Sequence, residues 1–194
     1  MSLSPPHPLF AAELRTIRAR QLIGTLRRQF QRWANAVAAG EMHFRQVGPE
    51  EFEASREDPP VEHLFRAAIT IGEVAYNCRA ALDYVIRELA RGNNRGKDVR
   101  GTQFPIEDAR DMYYARVTGI HPDNPEKMVA RYLHKVPAQA VELLEQTQPF
   151  AGCEWTKLLR EISNPDKHRY VPLISSNENF EHAMWDPIAG TISG

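Results

Sequence analysis

Cysteine is scarce in this chain of 194 residues. The two cysteines, Cys78 and Cys153, are far apart and lack a Cys-x-x-Cys or Cys/His zinc spacing. The sequence therefore predicts neither a disulfide framework nor a structural metal site. Free thiols are typical of a reducing cytoplasm, and this is the compartment that we expect.

Long apolar runs and an excess of one charge are also lacking. No segment reaches the roughly 18 apolar residues that a membrane span needs, and residues 1–8 do not form an export signal. The formal net charge is -1 at pH 7, whereas a non-specific nucleic-acid binder usually has a clear basic excess. We expect a soluble protein without a membrane partner, and the total charge gives no argument for nucleic acid.

The common catalytic motifs are absent too. The chain has no glycine-rich phosphate loop, no Gly-x-Ser-x-Gly elbow, no His-Glu-x-x-His and no dinucleotide fingerprint. We expect no cofactor. Any chemistry must therefore come from clusters of polar side chains, and whether the protein is an enzyme stays open at this point.

Apolar residues recur at helical spacing in two long segments, residues 9–39 and 61–91. Shorter helices are predicted at 107–117, 125–133, 137–146 and 154–163. Residues 42–47 alternate like a short strand that could pair with residues 170–174 or with a weak extended piece within residues 175–194. Residues 48–60 are predicted to be an acidic loop. Phe104 and Ile106 are expected to turn inward from an extended anchor at residues 102–106.

These elements predict one mainly α domain over residues 1–194. Its architecture is a bundle of two long antiparallel helices and several short ones, with a small β pairing at the edge. Residues 1–8 are expected to be extended, because prolines are frequent there, and residues 175–194 to be weakly structured.

Charge is unevenly distributed along the chain. Residues 1–40 hold six arginines and one acid, whereas residues 41–62 hold seven acids and two arginines. Either these two segments face each other, or the basic helix binds an anionic partner. Residues 91–101 add four basic side chains and one acid, and they are either a solvated connection or a contact for phosphates.

The last predicted helix carries an apolar stripe and then a dense polar cluster. The stripe consists of Trp155, Leu158, Leu159 and Ile162. Pro165 disfavours helical geometry at Asn164, which predicts a helix end at that point. The polar cluster consists of Asn164, Asp166, Lys167, His168 and Arg169.

His168 is the candidate general acid or base of this cluster. Asp166 would orient its imidazole, and Lys167 or Arg169 would stabilise developing negative charge. Such groups suit a phosphodiester substrate, RNA above all. In the alternative interpretation, Asn164 and Asp166 end the helix by bonding the backbone, and the cluster is a structural polar lock between the second and last helices.

Arg79 and Asp83 are the other charged pair of interest. They are four residues apart on the second long helix and so share a face. They either form a simple salt bridge or join the polar cluster, where they would position or bind a substrate. His121 and Asp123 lie two apart in a predicted loop, a spacing too common to predict a metal site.

Three stretches of the chain resemble a widespread family of uncharacterised bacterial proteins. They are residues 71–83, which end in Asn-Cys-Arg-Ala-Ala-Leu-Asp, Thr-Gln-Phe-Pro-Ile at 102–106 and Ile-Ser-Asn-Pro-Asp-Lys-His-Arg at 162–169. The resemblance covers roughly residues 9–170. It brings no settled activity with it.

The polar cluster is also remotely similar to the HEPN superfamily, helical bundles that include metal-independent ribonucleases. Asn164 and His168 match the Asn-x-x-x-His part of the superfamily motif, and Ser163 stands where the motif arginine is expected. The similarity implies a bacterial, cytoplasmic RNA-binding or ribonuclease-type protein. It also allows a homodimer that places two such sites side by side.

The roles implied by this similarity are catalytic for three residues and substrate-binding for four. The catalytic residues would be His168, Asn164 and Asp166. The residues that contact RNA or another anionic ligand would be Lys167, Arg169, Arg79 and Asp83. The competing class is a non-catalytic helical interaction module, as in the inactive members of the superfamily.

Overall fold

The computed structural model describes residues 7–40, 42–46, 52–56, 62–167, 171–172, 184–186 and 191–193. This part of the chain is mainly helical, and its two long helices pack together. The predicted mainly α bundle is therefore confirmed. The chain divides into two compact units, residues 1–20 with 74–164 and residues 21–73 with 165–194.

Five α-helices and seven short strands occur in the described residues. The helices are α1 (Phe10–Ala39), α2 (Glu62–Asn93), α3 (Arg110–Thr118), α4 (Ala138–Glu145) and α5 (Glu154–Lys167). The strands are β1 (Met42–Gln46), β2 (Phe52–Arg56), β3 (Ile120–His121), β4 (Asn124–Met128), β5 (Val171–Pro172), β6 (Met184–Asp186) and β7 (Thr191–Ser193). None of the described helices combines the length and the apolar character needed to cross a membrane.

The core of the first unit surrounds an extended segment, residues 102–106. Phe104 and Ile106 are buried there, as predicted. The other members of the buried cluster are Ala75, Ile86, Ala90, Val99, Tyr113, Leu133, Val136, Val141 and Leu159. These residues come from four helices and two loops, so the extended segment lies where most elements of this unit meet.

In the first unit, α1 and α2 are joined through a polar contact. Arg15 donates from Nη1 to Oδ1 of Asn77 at 3.3 Å, and its guanidinium lies 5.6 Å from the centre of the Tyr76 ring. Asn77 is buried. One arginine of the basic helix is therefore used inside the protein rather than for a partner.

The predicted helix at residues 125–133 is wrong. Gly119, with φ of 85°, reverses the chain after α3, and β4 then pairs antiparallel with β3. The N–H of Val129 bonds the Gly119 carbonyl at 3.0 Å, and the N–H of Leu133 bonds that of Arg116 at 3.1 Å. The backbone of this segment finds its partners in α3 and the turn after it, so it has no need of helical bonds of its own.

In the second unit, β1 pairs with β2, and among the described residues it does not pair with β5, β6 or β7. Part of the predicted acidic loop is therefore a strand. A partner a few residues away costs less loop-closure entropy than one at the far end of the chain. The C-terminal strands form a separate antiparallel sheet, in which β6 lies between β5 and β7.

The predicted end of the last helix at Asn164 is also wrong. α5 continues through Pro165 to Lys167. The φ angle of proline is compatible with a helix, and the missing N–H removes a single hydrogen bond near the helix end. The backbone of Asn164, Asp166 and Lys167 therefore lies in the last turn of α5 and not beyond it.

Tyr113 is the largest fully buried side chain among the described residues of the first unit. Its hydroxyl donates a hydrogen bond of 2.6 Å to the Val141 carbonyl, which ties α3 to α4. Burial raises the pKa of Tyr113 above its ordinary value, and the charges of Tyr114 and Glu145 raise it further. The folded protein therefore holds this proton more tightly than the unfolded chain does.

We expect the free energy of unfolding to fall as the pH rises above about 10, where the unfolded chain loses the Tyr113 proton first. Tyr113→Phe should cost about 1 kcal/mol at neutral pH and should remove this part of the alkaline loss. Urea unfolding between about pH 7 and pH 11 measures both effects. Tyr84→Phe is the control, and an alkaline loss that is unchanged in Tyr113→Phe would contradict the assignment.

Candidate functional site

The centre of the predicted site is only partly described. His168 and Arg169 lie outside the described residues. Asn164, Asp166 and Lys167 are described as backbone in the last turn of α5, without their side chains. The catalytic roles of His168, Asn164 and Asp166 and the phosphate contacts of Lys167 and Arg169 therefore stay predictions.

Arg79 and Asp83 lie together on α2, and both bind the backbone of Phe104. Oδ1 of Asp83 accepts the Phe104 N–H at 2.8 Å, and Nη2 of Arg79 donates to the Phe104 carbonyl. Nε of Arg79 is 3.7 Å from Oδ1 of Asp83. The predicted salt bridge is thus present within a larger arrangement, the Phe104 clamp, which consists of Arg79, Asp83 and the Phe104 backbone.

The charges of the Phe104 clamp are only partly exposed to water, and that of Arg79 is the less exposed. The side chain of Arg79 is 15% exposed and that of Asp83 is 34% exposed. Burial lowers the pKa of Arg79, while the charge of Asp83 opposes this shift. Because an arginine stays protonated at neutral pH, its buried charge needs the carboxylate and carbonyl partners that it has. The clamp favours a structural role for both side chains over substrate binding.

Two further side chains hold the same extended segment. Gln148, which is fully buried, accepts the N–H of Glu107 through Oε1 at 3.1 Å. Arg160 donates from Nη1 to the Ile106 carbonyl at 3.4 Å and from Nη2 to Asp108 at 2.8 Å. Side chains of α2, of α5 and of the turn after α4 thus supply the backbone hydrogen bonds that a neighbouring strand would otherwise supply.

We expect Asp83→Ala to lower the free energy of unfolding by about 2 kcal/mol, because the Phe104 N–H would lose its acceptor in a buried position. Asp83→Asn keeps an acceptor oxygen and should cost less. Arg79→Ala combined with Asp83→Ala should cost less than the sum of the two single changes. Urea unfolding measures all of these, with the exposed Asp123→Ala as control; wild-type stability in Asp83→Ala would contradict the clamp.

Two segments that are distant in sequence and rich in exposed cations are joined by a hydrogen bond. Nδ2 of Asn93 donates to the Lys135 carbonyl at 3.0 Å and joins residues 91–101 to the turn at residues 131–135. The exposed cations of the two segments are Arg95, Lys97, Arg100, Arg131 and Lys135; together they are called the cation surface. The basic residues of the first segment stand out in the sequence, whereas the pattern of the second predicts the end of a helix and so gives no sign that the two segments meet.

Few carboxylates neutralise the cation surface. Asp98 is the single acid in the two segments, and its Oδ1 already pairs with Nε of Arg87 at 2.9 Å. Within the described part of the chain, no salt bridge joins Arg95, Lys97 or Lys135 to a carboxylate. These three charges therefore remain available to an anion.

Two members of the cation surface have a left-handed backbone. Arg95 has φ of 53° and Lys135 has φ of 65°, and these are the non-glycine residues with positive φ in the described ranges. A side chain with a Cβ is disfavoured in this region, and such strain is concentrated at functional sites. In the same surface, burial and the charges of Arg131 and Lys135 lower the pKa of His134, as expected in a positive potential.

His121 ends β3, and Asp123 lies in the turn between β3 and β4. Nδ1 of His121 accepts the N–H of Asp123 at 3.2 Å, which is an ordinary turn contact. Among the residues that the structure describes, no three His, Cys, Asp or Glu side chains come together as metal ligands.

Comparison with known proteins adds no assignment to these observations. No family model, no curated protein and no solved structure matches the chain. The function therefore has to be inferred from the described side chains and from the sequence.

Proposed function

We propose that this protein is a HEPN-like helical protein that binds RNA through the cation surface. The observation that carries the proposal is a hydrogen bond that joins two loops bearing five exposed cations, with their single acid paired elsewhere. Contacts between cations and phosphates supply most of the non-specific affinity for nucleic acids. Since the whole chain has a net charge of -1, the electrostatic attraction of RNA would be confined to this surface.

We propose RNA rather than another polyanion because of the polar cluster at the end of α5. In the proposal, His168 acts as general acid or base at a phosphodiester, with Asn164 and Asp166 orienting it. Lys167 and Arg169 contact the phosphate. No metal is needed for such a step, because the 2'-hydroxyl of RNA is the nucleophile and the charged phosphate is stabilised by cations.

A non-catalytic interaction module is the second candidate, and the Phe104 clamp favours it. Arg79 and Asp83 were predicted to contact substrate, yet both are bonded to the protein backbone. This structural polar contact joins α2 to the extended segment and not to the last helix. In this candidate, the cluster of residues 164–169 is a structural polar lock and has no catalytic role.

Cleavage of a fluorescent mixed RNA pool, with and without EDTA, distinguishes the two candidates. If the protein is a ribonuclease, we expect it to cleave RNA in the presence of EDTA. A folded His168→Ala variant should not cleave, because His168 is the proposed general acid or base. His43→Ala, a change at an exposed histidine of β1, should cut like the wild type. Absence of cutting by every protein, with a lowered melting temperature in His168→Ala alone, would favour the lock.

RNA binding itself is tested by replacing the two strained cations. Arg95→Asn with Lys135→Asn keeps residues that tolerate a left-handed backbone and removes two charges. We expect weaker binding of single-stranded RNA, and a salt dependence whose slope falls by about 0.7 for each lost phosphate contact. Lys157→Ala removes an exposed cation of α5 and should change neither the affinity for RNA nor its salt dependence. Equal effects in both variants would contradict binding through the cation surface.

A further inference from the structure

The apolar stripe of α5 is buried on one side only. Leu159 is 7% exposed and belongs to the core, whereas Trp155 is 51% exposed and Leu158 is 56% exposed. Trp155 and Leu158 are three residues apart and so are neighbours on the helix surface. These two large side chains form a contiguous apolar patch. Such patches mark interaction sites more often than single exposed apolar residues do.

An apolar groove lies beside Trp155 within the first unit. Its volume is about 400 Å³, and most of its wall is apolar. α1 contributes Leu9 and Ala12, and α2 contributes Leu82 and Val85. A volume of this size is within the range of clefts that bind ligands and side chains.

A second depression, of about 320 Å³, continues along α5 on the other side of Trp155. Trp155 and Leu158 line it together with Glu154, Lys157 and Glu161. Trp155 therefore stands between two depressions and contributes to both. Exposed tryptophans in such positions are frequent anchors of protein interfaces.

The charges around the two depressions are mostly negative. Their walls contain the carboxylates of Glu13, Glu154 and Glu161 and one ammonium group, that of Lys157. A partner with cations beside its apolar residues would meet opposite charge at this rim. A partner with acidic flanks would be repelled.

The walls of both depressions are built from helices. α1, α2 and α5 supply the lining residues, and the backbone groups in the middle of a helix are already bonded within it. An extended peptide would find no unpaired strand edge there. A helix brings its own hydrogen bonds and needs only side-chain contacts, as in helix-in-groove recognition.

We propose that the two depressions and the ridge between them, the Trp155 groove, bind an amphipathic helix of a partner protein that has basic residues beside its apolar stripe. Apolar side chains of that helix enter the depressions on either side of Trp155. Its lysines and arginines face Glu154 and Glu161. This proposal does not rest on RNA binding, because it uses none of the residues of the cation surface.

A labelled synthetic peptide of about 18 residues tests the proposal with the full chain. The probe carries leucines on one helical face and lysines and arginines beside them; a matched peptide carries glutamates instead. Fluorescence anisotropy should show at least about tenfold tighter binding of the basic peptide. Glu154→Lys with Glu161→Lys should reverse this preference.

Trp155→Ala with Leu158→Ala should weaken binding of the basic peptide at least about tenfold, since the anchors of the interface are lost. Both side chains are more than half exposed, so folding should be kept, as circular dichroism would verify. Leu143→Ala, at a residue of α4 that is 66% exposed, is the matched control and should bind like the wild type.

Cys78 provides an independent measurement, because it lines the larger depression. Burial raises the pKa of its thiol, so it should react slowly with a thiol reagent. In a Cys153→Ser variant, where Cys78 is the remaining thiol, bound basic peptide should slow the reaction several-fold more. Unchanged reactivity at saturating peptide would place the peptide elsewhere and overturn the proposal.

Two further results would overturn it. One is equal binding of the basic and acidic peptides, or equal binding by the wild type and the Trp155→Ala, Leu158→Ala variant. The other is a dimer, seen by light scattering without peptide, that this variant converts to a monomer. In that case a second copy of the chain would be the occupant, since α1 also exposes Leu14 and Ile17 next to arginines.

Discussion

The first unit is organised around the need to satisfy the backbone of a buried extended segment. No neighbouring strand bonds the Phe104 peptide groups in the described structure, so side chains from α2 do it. Gln148 and Arg160 do the same for the residues that follow. A buried peptide group left without a partner costs about 1 to 3 kcal/mol. Several polar side chains must therefore point inward, and this explains why charged residues interrupt otherwise apolar helix faces.

The same constraint separates the cations of the first unit into two groups. Arg15, Arg79, Arg116 and Arg160 are bonded to buried amides, carbonyls or carboxylates. Arg95, Lys97 and Lys135 of the cation surface, in contrast, lie on loops and form no salt bridge with a carboxylate of the described residues. A net charge near zero thus conceals a division between cations that support the core and cations that face outward. Counting charges along the sequence cannot separate these groups, because the separation depends on which backbone groups each guanidinium reaches.

Elements that depend on local periodicity could be predicted from the sequence. The two long helices and the inward turn of Phe104 and Ile106 belong to this class, because the apolar spacing carries the information. Residues 125–133 do not, since their hydrogen-bond partners lie in α3 and after it. The cation surface depends on a bond between residues 42 apart. The contact of Arg79 and Asp83 with the Phe104 backbone could not be predicted either, because an i, i+4 spacing predicts only that the two side chains meet.

The clamp also has a consequence for the order in which the chain folds. Asp83 and Phe104 are 21 residues apart, whereas the contact of Gln148 with the segment spans 41 residues and that of Arg160 spans 54. Closing the shorter loop costs less entropy, and α2 is long enough to form early. The extended segment should therefore pack on α2 first, and the two would form a local unit before the later helices join. The later helices would then assemble on a template that already has its central peptide groups paired.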